Sequence, residues 1–366
     1  MTAPILRRRE LGRALLARQL LLERADTTVA DAVTRLVGLQ AQAPYAPYFG
    51  LWSRIRAFGT ADLADALTGR RLVRIALMRS TVHLVTPDDI GALRPWAQPA
   101  LDRELDTAFR AGLAGLDRAA VAAAGRALLG AGQLTPKELG AALSERWPDR
   151  ESRALATVVR NLVPLVQVPP RAVWGIGGST RYATAADWTG AEPAPAADPG
   201  QVVLRYLAAF GPASVADMQT WAGRTRLRSV VEGLRAGLVV FRDEHGVELF
   251  DLPEAPRPDA GVAAPVRFLP EYDNLLASHA DRSRVITDEA RRRVVTRNGM
   301  RATVLVDGEV AGAWKLRRAA TSASLEVEPF RALTAGERAE VEAEGARLLA
   351  FAAPDARHEL LVGYPG

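Results

Sequence analysis

The chain has no cysteine. Disulfides, thiolate-bound zinc, iron–sulfur clusters and a thiol nucleophile are therefore excluded. Histidine is scarce: His83, His245, His279 and His358 are four in 366 residues, far apart and without metal-ligand spacing. No metal and no cofactor is expected. Lysine is nearly missing. Only Lys137 and Lys315 are present, and the other 45 of the 47 basic residues are arginine. No apolar run approaches the roughly 20 residues that span a bilayer. The N-terminal stretch also lacks an apolar core followed by a small-residue cleavage site. A cytoplasmic protein without a membrane partner is the expectation. There is no GxxxxGK[ST] loop, no HExxH and no GxSxG elbow.

What is present looks globular. Hydrophobic residues make up 48% and charged residues 24% of a length sufficient for two or three domains. The net charge of +5 and a pI of about 9.9 are modest for this length. Abundant Arg, Ala, Gly and Pro together fit a GC-rich genome. Arginine also suits phosphate contacts, but charge alone does not single out a nucleic-acid partner.

The order of local signals repeats. Residues 198–252 begin with a helix (GQVVLRYLAAFG) ending at Gly211. A second helix is capped by Ser214-Val215-Ala216-Asp217 and runs to Trp221, and a third covers about Arg226 to Arg235. A hairpin (LVVF, VELFDL) follows. This is the winged-helix order. Residues 117–186 read the same way: a helix to Gly130, TPKELGAALSERW behind the capping box Thr135–Glu138, and a helix from Ser152 to Val163. A hairpin over Leu165–Val168 and Arg181–Thr184 completes that module. Residues 5–86 give helices over about Glu10–Arg24 and Thr28–Leu39, then the strand pair LVRIALM and TVHLVT. Ala191–Gly200 (AEPAPAADPG) reads as a linker. VRFLP, ATVLVDGEVAGAW and SLEVEPF are β-rich, and a helix behind Thr334-Ala335-Gly336-Glu337 closes the chain. The expected fold class is α+β and mainly helical, with three tandem winged-helix modules followed by a small β-barrel-like C-terminal domain. The expected boundaries are 1–90, 91–190, 198–255 and 264–366.

The distinctive segment is GLQAQAPYAPYFGLWSRI, Gly38–Ile55. Pro44 biases Ala43 away from helix, and in an extended backbone Gln40 and Gln42 share one face. GIGGST at Gly175–Thr180 precedes no helix and reads as a turn in a wing. The QAQ segment resembles the QΦQ motif of the AlkZ family of bacterial DNA glycosylases, with Ala41 where a bulkier apolar residue is frequent. MRSTVHLVTPDD (Met78–Asp89), FLPEYDNLLASHADRSRV (Phe268–Val285) and VLVDGEVAGAWK (Val304–Lys315) are also similar to family blocks, so the resemblance covers most of the chain.

The resemblance implies excision of N7-alkylated purines from double-stranded DNA, including bulky natural-product adducts and interstrand crosslinks, by a monomer. Gln40 and Gln42 are then the catalytic pair. An N7-alkylguanine already carries positive charge and is a good leaving group, so two neutral amides suffice. They orient a water toward C1′ and present carbonyl oxygens to the developing oxocarbenium charge. With so little lysine for a Schiff base, a monofunctional enzyme leaving an abasic site is expected. Candidate DNA-contacting residues are Arg79, His83, His279, Arg282 and the hairpin turn Asp307-Gly308, the last as a minor-groove probe. Tyr48 and Trp52 read as core aromatics ahead of stacking platforms. An open cleft suits a bulky adduct better than a tight flipping pocket. The competing reading is a non-catalytic winged-helix DNA-binding protein or transcription regulator using the arginine-rich segment 224–235. A degenerate member that binds DNA without excision is a third.

Overall fold

The computed structural model describes residues 3–190, 198–297 and 299–363. The first part of the chain runs α1 (Arg8–Arg18), α2 (Val29–Arg35), β1 (Leu39–Gln40), α3 (Ala46–Trp52), α4 (Thr60–Thr68), β2 (Val73–Ala76) and β3 (Val82–Val85). It continues through α5 (Pro87–Thr107), α6 (Arg118–Gly130), α7 (Pro136–Arg146), α8 (Ser152–Leu162), β4 (Leu165–Gln167), β5 (Tyr182–Thr184) and α9 (Ala185–Thr189). A third stretch has α10 (Pro199–Phe210), α11 (Val215–Ala222), α12 (Arg228–Leu234) and the hairpin β6 (Val239–Arg242) and β7 (Glu248–Asp251). The last part has β8 (Arg267–Leu269), α13 (Asn274–Ala277), α14 (Asp288–Val294), β9 (Val295–Thr296), β10 (Gly299–Met300), β11 (Thr303–Val306), β12 (Glu309–Arg318), β13 (Ser322–Pro329), α15 (Ala335–Ala352) and β14 (Arg357–Val362). The architecture is α+β. Residues 191–197 of the expected linker AEPAPAADPG lie outside the described residues, and its last two, Pro199 and Gly200, instead open α10.

Helix starts follow their caps. The Thr135 hydroxyl accepts the Glu138 N–H at 3.1 Å while Glu138 accepts the Thr135 N–H at 2.7 Å. Thr334 and Glu337 repeat the arrangement at α15, and Ser214 and Asp217 at α11. Two helices stop earlier than their sequence pattern suggests. α1 ends at Arg18, before a left-handed Leu20. α2 ends at Arg35 because Val37 and Gly38 turn left-handed, with φ of 54° and 84°. A Cβ on Gly38 would meet Val85 Cγ1 at 2.9 Å and the Leu84 carbonyl at 3.1 Å. Glycine thus lets the chain turn against β3 and enter β1.

The strand pairings alter the picture of separate modules. The strands of the first two parts merge into one five-stranded sheet, β1-β3-β2-β4-β5, through Arg74↔Gln167 and Ile75↔Val166. The apolar clusters are shared in the same way. α1, β2 and α5 pack with α10 and α11, whereas α2, α3 and α4 pack on the C-terminal sheet and α15. Helices α6–α8 build a separate core around Val121, Leu139, Leu155 and Val159, joined by Leu105 of α5, Leu165 of β4 and Tyr182 of β5.

The C-terminal sheet, β14-β13-β12-β11-β8, is open, and among the described residues β8 and β14 do not pair. No closed barrel forms. The sequence reading missed β14, which runs parallel to β13 after the α15 crossover. Its few residues alternate only weakly, and a parallel partner 35 positions earlier, as in Ser322↔Arg357, leaves no local signal.

Candidate active site

The QAQ segment lies on the edge of the first sheet. Gln40 faces His83 across β1 and β3. The Ala41 N–H donates to the Val82 carbonyl at 2.7 Å, and the Val82 N–H donates to Gln42 Oε1 at 3.2 Å. Both amides are therefore built onto the 79–83 segment, as an extended backbone at the motif implies. Gln40 is 8% exposed and Gln42 is open to solvent. Ala41 is fully buried, and its carbonyl accepts Arg74 Nη2 at 2.8 Å.

A second layer fixes the motif from below. The Gln40 N–H donates to Asn274 Oδ1 at 3.3 Å, and Asn274 Nδ2 donates to the Gly38 carbonyl at 2.6 Å. Asn274 opens α13, whose cap is Asp273: its Oδ1 accepts the Leu275 N–H at 2.9 Å. Asp273 also takes both Arg54 terminal nitrogens at 2.8 Å each, in a fully buried bidentate pair. Arg54, Arg74, Asp273 and Asn274 were not singled out from sequence. The block PEYDN contains Asp273 and Asn274, but nothing local ties it to Arg54 or to Gln40, 219 and 234 positions away.

Arg79 reaches the first amide directly. Its Nη2 donates to Gln40 Oε1 at 2.9 Å and its Nη1 to the Trp221 carbonyl at 2.5 Å. Burial, reinforced by the nearby Arg282 charge, pushes the guanidinium down to about 10. His83 is buried, and its Nδ1–H donates to the Thr81 carbonyl at 3.0 Å. Burial and the Arg79 charge push it down to about 3, so the ring is neutral. Arg282 is half-buried, donates through Nε to the His279 carbonyl at 3.2 Å, and lies in the field of exposed Arg291. Gln40, Gln42, Arg79, His83 and Arg282 thus form one neighbourhood with more cation than carboxylate.

Three other candidates sit in the protein's own packing. His279 is buried, with Nε2 on the Phe210 carbonyl at 3.0 Å and Nδ1 on the Ser278 hydroxyl at 3.0 Å. The Asp307 carboxylate is taken by Arg9 at 2.7 Å and by Arg13. A Cβ on Gly308 would collide with Leu16 and Arg13 of α1. The Asp307-Gly308 turn therefore packs on α1 with the Asp307 side chain half-exposed, and Arg291, Arg292 and Arg297 around β9 are exposed basic residues. Tyr48 is fully buried, and its hydroxyl donates to the Ala172 carbonyl at 2.9 Å. Trp52 stacks on Phe351 with centroids 5.7 Å apart. Both are core residues. In the segment 224–235, Arg228 and Arg235 pair with Glu232, and Arg224 lies over Trp96 at 4.4 Å. Lys137 and Lys315 are exposed on α7 and β12, and Lys315 lines a cleft with Ala43, Pro44 and Tyr45, just past the two amides.

The site is thus a pair of amides on a sheet edge of an α+β chain, with Arg79 on one of them and Arg74 on the backbone between them. Comparison with known proteins gives the family. Residues 33–351 match the AlkZ-like DNA glycosylase family, and the chain belongs to it. It is 25% identical over 341 residues to the interstrand DNA cross-link repair glycosylase of Streptomyces sahachiroi, covering 86% of this chain and 88% of that one. The solved structure of Streptomyces sahachiroi DNA glycosylase AlkZ superposes with a TM-score of 0.81 over 99% of this chain and 100% of that one, at 21% identity. It shares the fold.

Proposed function

We propose that this glycosylase hydrolyses the N-glycosidic bond of N7-alkylated guanine in duplex DNA, including bulky adducts and crosslinked forms, and leaves an abasic site. The observation that carries the reading is the placement of Gln40 and Gln42 side by side over the 79–83 segment, each amide oxygen held by one donor. A carbonyl oxygen has two lone pairs, so each keeps one for a water. That water attacks C1′ as the C1′–N9 bond breaks. The bonding pair goes to the base and cancels its N7 charge, and the water's proton passes to solvent. Neutral amides suit this step because the leaving group needs no acid. Neutral His83, behind Gln40, supports the strand rather than supplying a proton. Among the described residues, neither lysine is hydrogen-bonded to an amide of the pair, and Gln40 and Gln42 instead take their donors from Arg79 and the Val82 N–H, which supports a monofunctional course.

In this reading the helix–hairpin units 1–90, 91–190 and 198–255 act as winged helices around an open cleft, with 264–366 as their scaffold. Arg282, with Arg291 beside it, meets phosphate. His279, Asp307 and Gly308, proposed from sequence as further DNA contacts, instead serve to hold their loops in place. The regulator alternative is weakened because Arg224 lies over Trp96 and Glu232 neutralises part of the charge of the exposed Arg228 and the half-exposed Arg235. The test is incubation with duplexes carrying N7-methylguanine or a bulky N7 adduct, followed by assay of alkali-labile sites. Gln40→Ala/Gln42→Ala is expected to abolish product and to leave DNA binding intact. Undiminished product from the double variant rejects the assignment.

A further inference from the structure

We infer that Arg79 is a positioning residue for Gln40, clamped jointly by helices of the second and third helical units, and not a phosphate ligand. The inference rests on the reading of Gln40 as a catalytic amide. Both terminal nitrogens of Arg79 are committed inside the protein, one to Gln40 Oε1 and the other to the Trp221 carbonyl at the end of α11. The backbone that delivers it is unusual. Arg79 and Ser80 are both left-handed, each with φ of 56°. Two consecutive non-glycine residues in that region persist only where the surroundings hold them.

The holding groups come from two sides. On one, the Ser80 hydroxyl donates to Glu104 Oε2 of α5 at 2.5 Å, and Arg160 Nη2 of α8 donates to the Ser80 carbonyl at 2.7 Å. Arg160 and Asn161 also bind Glu104, at 3.0 and 2.9 Å, so the acid cannot drift. On the other, Gly223 closes α11 with φ of 67°, and a Cβ there would lie 3.0 Å from both N and Cα of Arg79. The kink is caught between α5 and α8 on one face and α11 on the other. The chemical consequence is the orientation of one amide. A glutamine free to rotate presents oxygen and NH2 to the cleft by turns. With Arg79 fixed on Oε1, the remaining oxygen lone pair keeps one direction, and a flip would set Nε2 against a cation.

Single-turnover excision from an N7-methylguanine duplex, together with DNA binding across salt concentrations, tests this. Arg79→Ala is expected to slow excision at least tenfold, to leave the salt dependence of binding unchanged, and to add nothing in a Gln40→Ala background. Gly223→Ala, which keeps the guanidinium but displaces its backbone, and Glu104→Gln are expected to slow excision in the same sense. They serve if Arg79→Ala does not fold. A phosphate ligand would behave differently: the salt slope would fall by about one, and the loss would persist without Gln40. That pattern overturns the inference. The side-chain amide resonances of Gln40, assigned by their loss in Gln40→Ala, give a readout independent of activity. They must shift in Gly223→Ala and in Arg79→Lys, and unchanged resonances overturn the inference even if excision is seen. If no lesion is excised by the unmodified protein, the functional reading fails, and the resonances alone decide the place of Arg79.

Discussion

The side chain of Asn274 holds Gln40 by its backbone. It accepts the Gln40 N–H at 3.3 Å and donates to the carbonyl of Gly38, two residues earlier, at 2.6 Å. One amide therefore fixes both ends of the turn that feeds β1. Removing it leaves buried backbone groups unpaired, at a cost of about 1–3 kcal/mol. Asn274→Ala is expected to lower stability by that order and to slow excision roughly 10–100-fold, since each 1.36 kcal/mol at the barrier is tenfold. DNA affinity should hold. Urea denaturation and single-turnover kinetics check the pair of effects, and full activity would show that the turn keeps its shape unaided.

Asn274 is itself set by Asp273, whose buried partner is Arg54. Cutting one member of a fully buried ion pair strands the other charge and costs about 3–5 kcal/mol. Asp273→Ala and Arg54→Met should each destabilise on that scale by denaturant unfolding. The double variant should cost clearly less than the two losses added. It will not be neutral, because Asp273 also caps α13 and Arg54 also donates to the Gly50 carbonyl at 2.9 Å. Additive losses would mean that the two side chains act separately.

Sequence and structure agree where the signal is local. Thr135, Ser214 and Thr334 cap the helices their neighbours imply, and the β6–β7 hairpin lies where its turn residues put it. Gln40 and Gln42 were singled out because their segment resembles the QΦQ motif and Pro44 turns the chain away from helix, whereas the early end of α2 at the left-handed Val37 and Gly38 was not read from the sequence. What was hidden is long-range. Nothing near Asn274 says that it meets Gln40, and nothing near Asp307 says that Arg9 and Arg13 occupy its carboxylate. An Asp-Gly turn has the same chemistry whether it projects into solvent or packs on a helix. Arg74 and Arg54 looked like two more of many arginines, because burial of a charge depends on partners that the chain supplies elsewhere.

Two buried histidines give a pH dependence of known sign. His83 and His279 are both pushed down to about 3, mainly by burial, with Arg79 facing the first and Arg284 the second. Asp217 and Asp281 act on His279 in the opposite sense without overcoming burial. In the unfolded chain a histidine titrates near 6.5. Because the folded pKa is the lower one, the unfolded state binds protons first as pH falls. The stabilisation is complete above about 6.5 and is lost as pH drops toward 3. Each histidine then contributes a slope of about 1.4 kcal/mol per pH unit within that window. Denaturation midpoints measured from pH 7 to pH 4 should fall, and His279→Gln should flatten the curve by one histidine's share. An unchanged slope in that variant would show that His279 is not held neutral. Excision itself should not titrate with either ring between pH 6 and 8.

The exposed arginines around β9 separate from the hairpin turn that packs on α1. Asp307 neutralises Arg9 and Arg13 and ties the β11–β12 turn to α1. Burial raises its carboxyl, but the two guanidiniums more than offset that and hold it below the usual carboxylate range. Asp307→Ala is expected to weaken folding while leaving DNA affinity nearly unchanged. Arg282, Arg291 and Arg297 differ: the first is half-buried beside Arg79, and the other two are exposed. Each arginine that neutralises a phosphate releases about one counterion, so the slope of log affinity against log salt records how many take part. Arg282→Ala, Arg291→Ala and Arg297→Ala should each weaken binding to lesion and lesion-free duplex alike and reduce that slope by about one. If Asp307→Ala moved the slope and these three did not, the DNA-facing surface would lie on the α1 side of the C-terminal sheet instead.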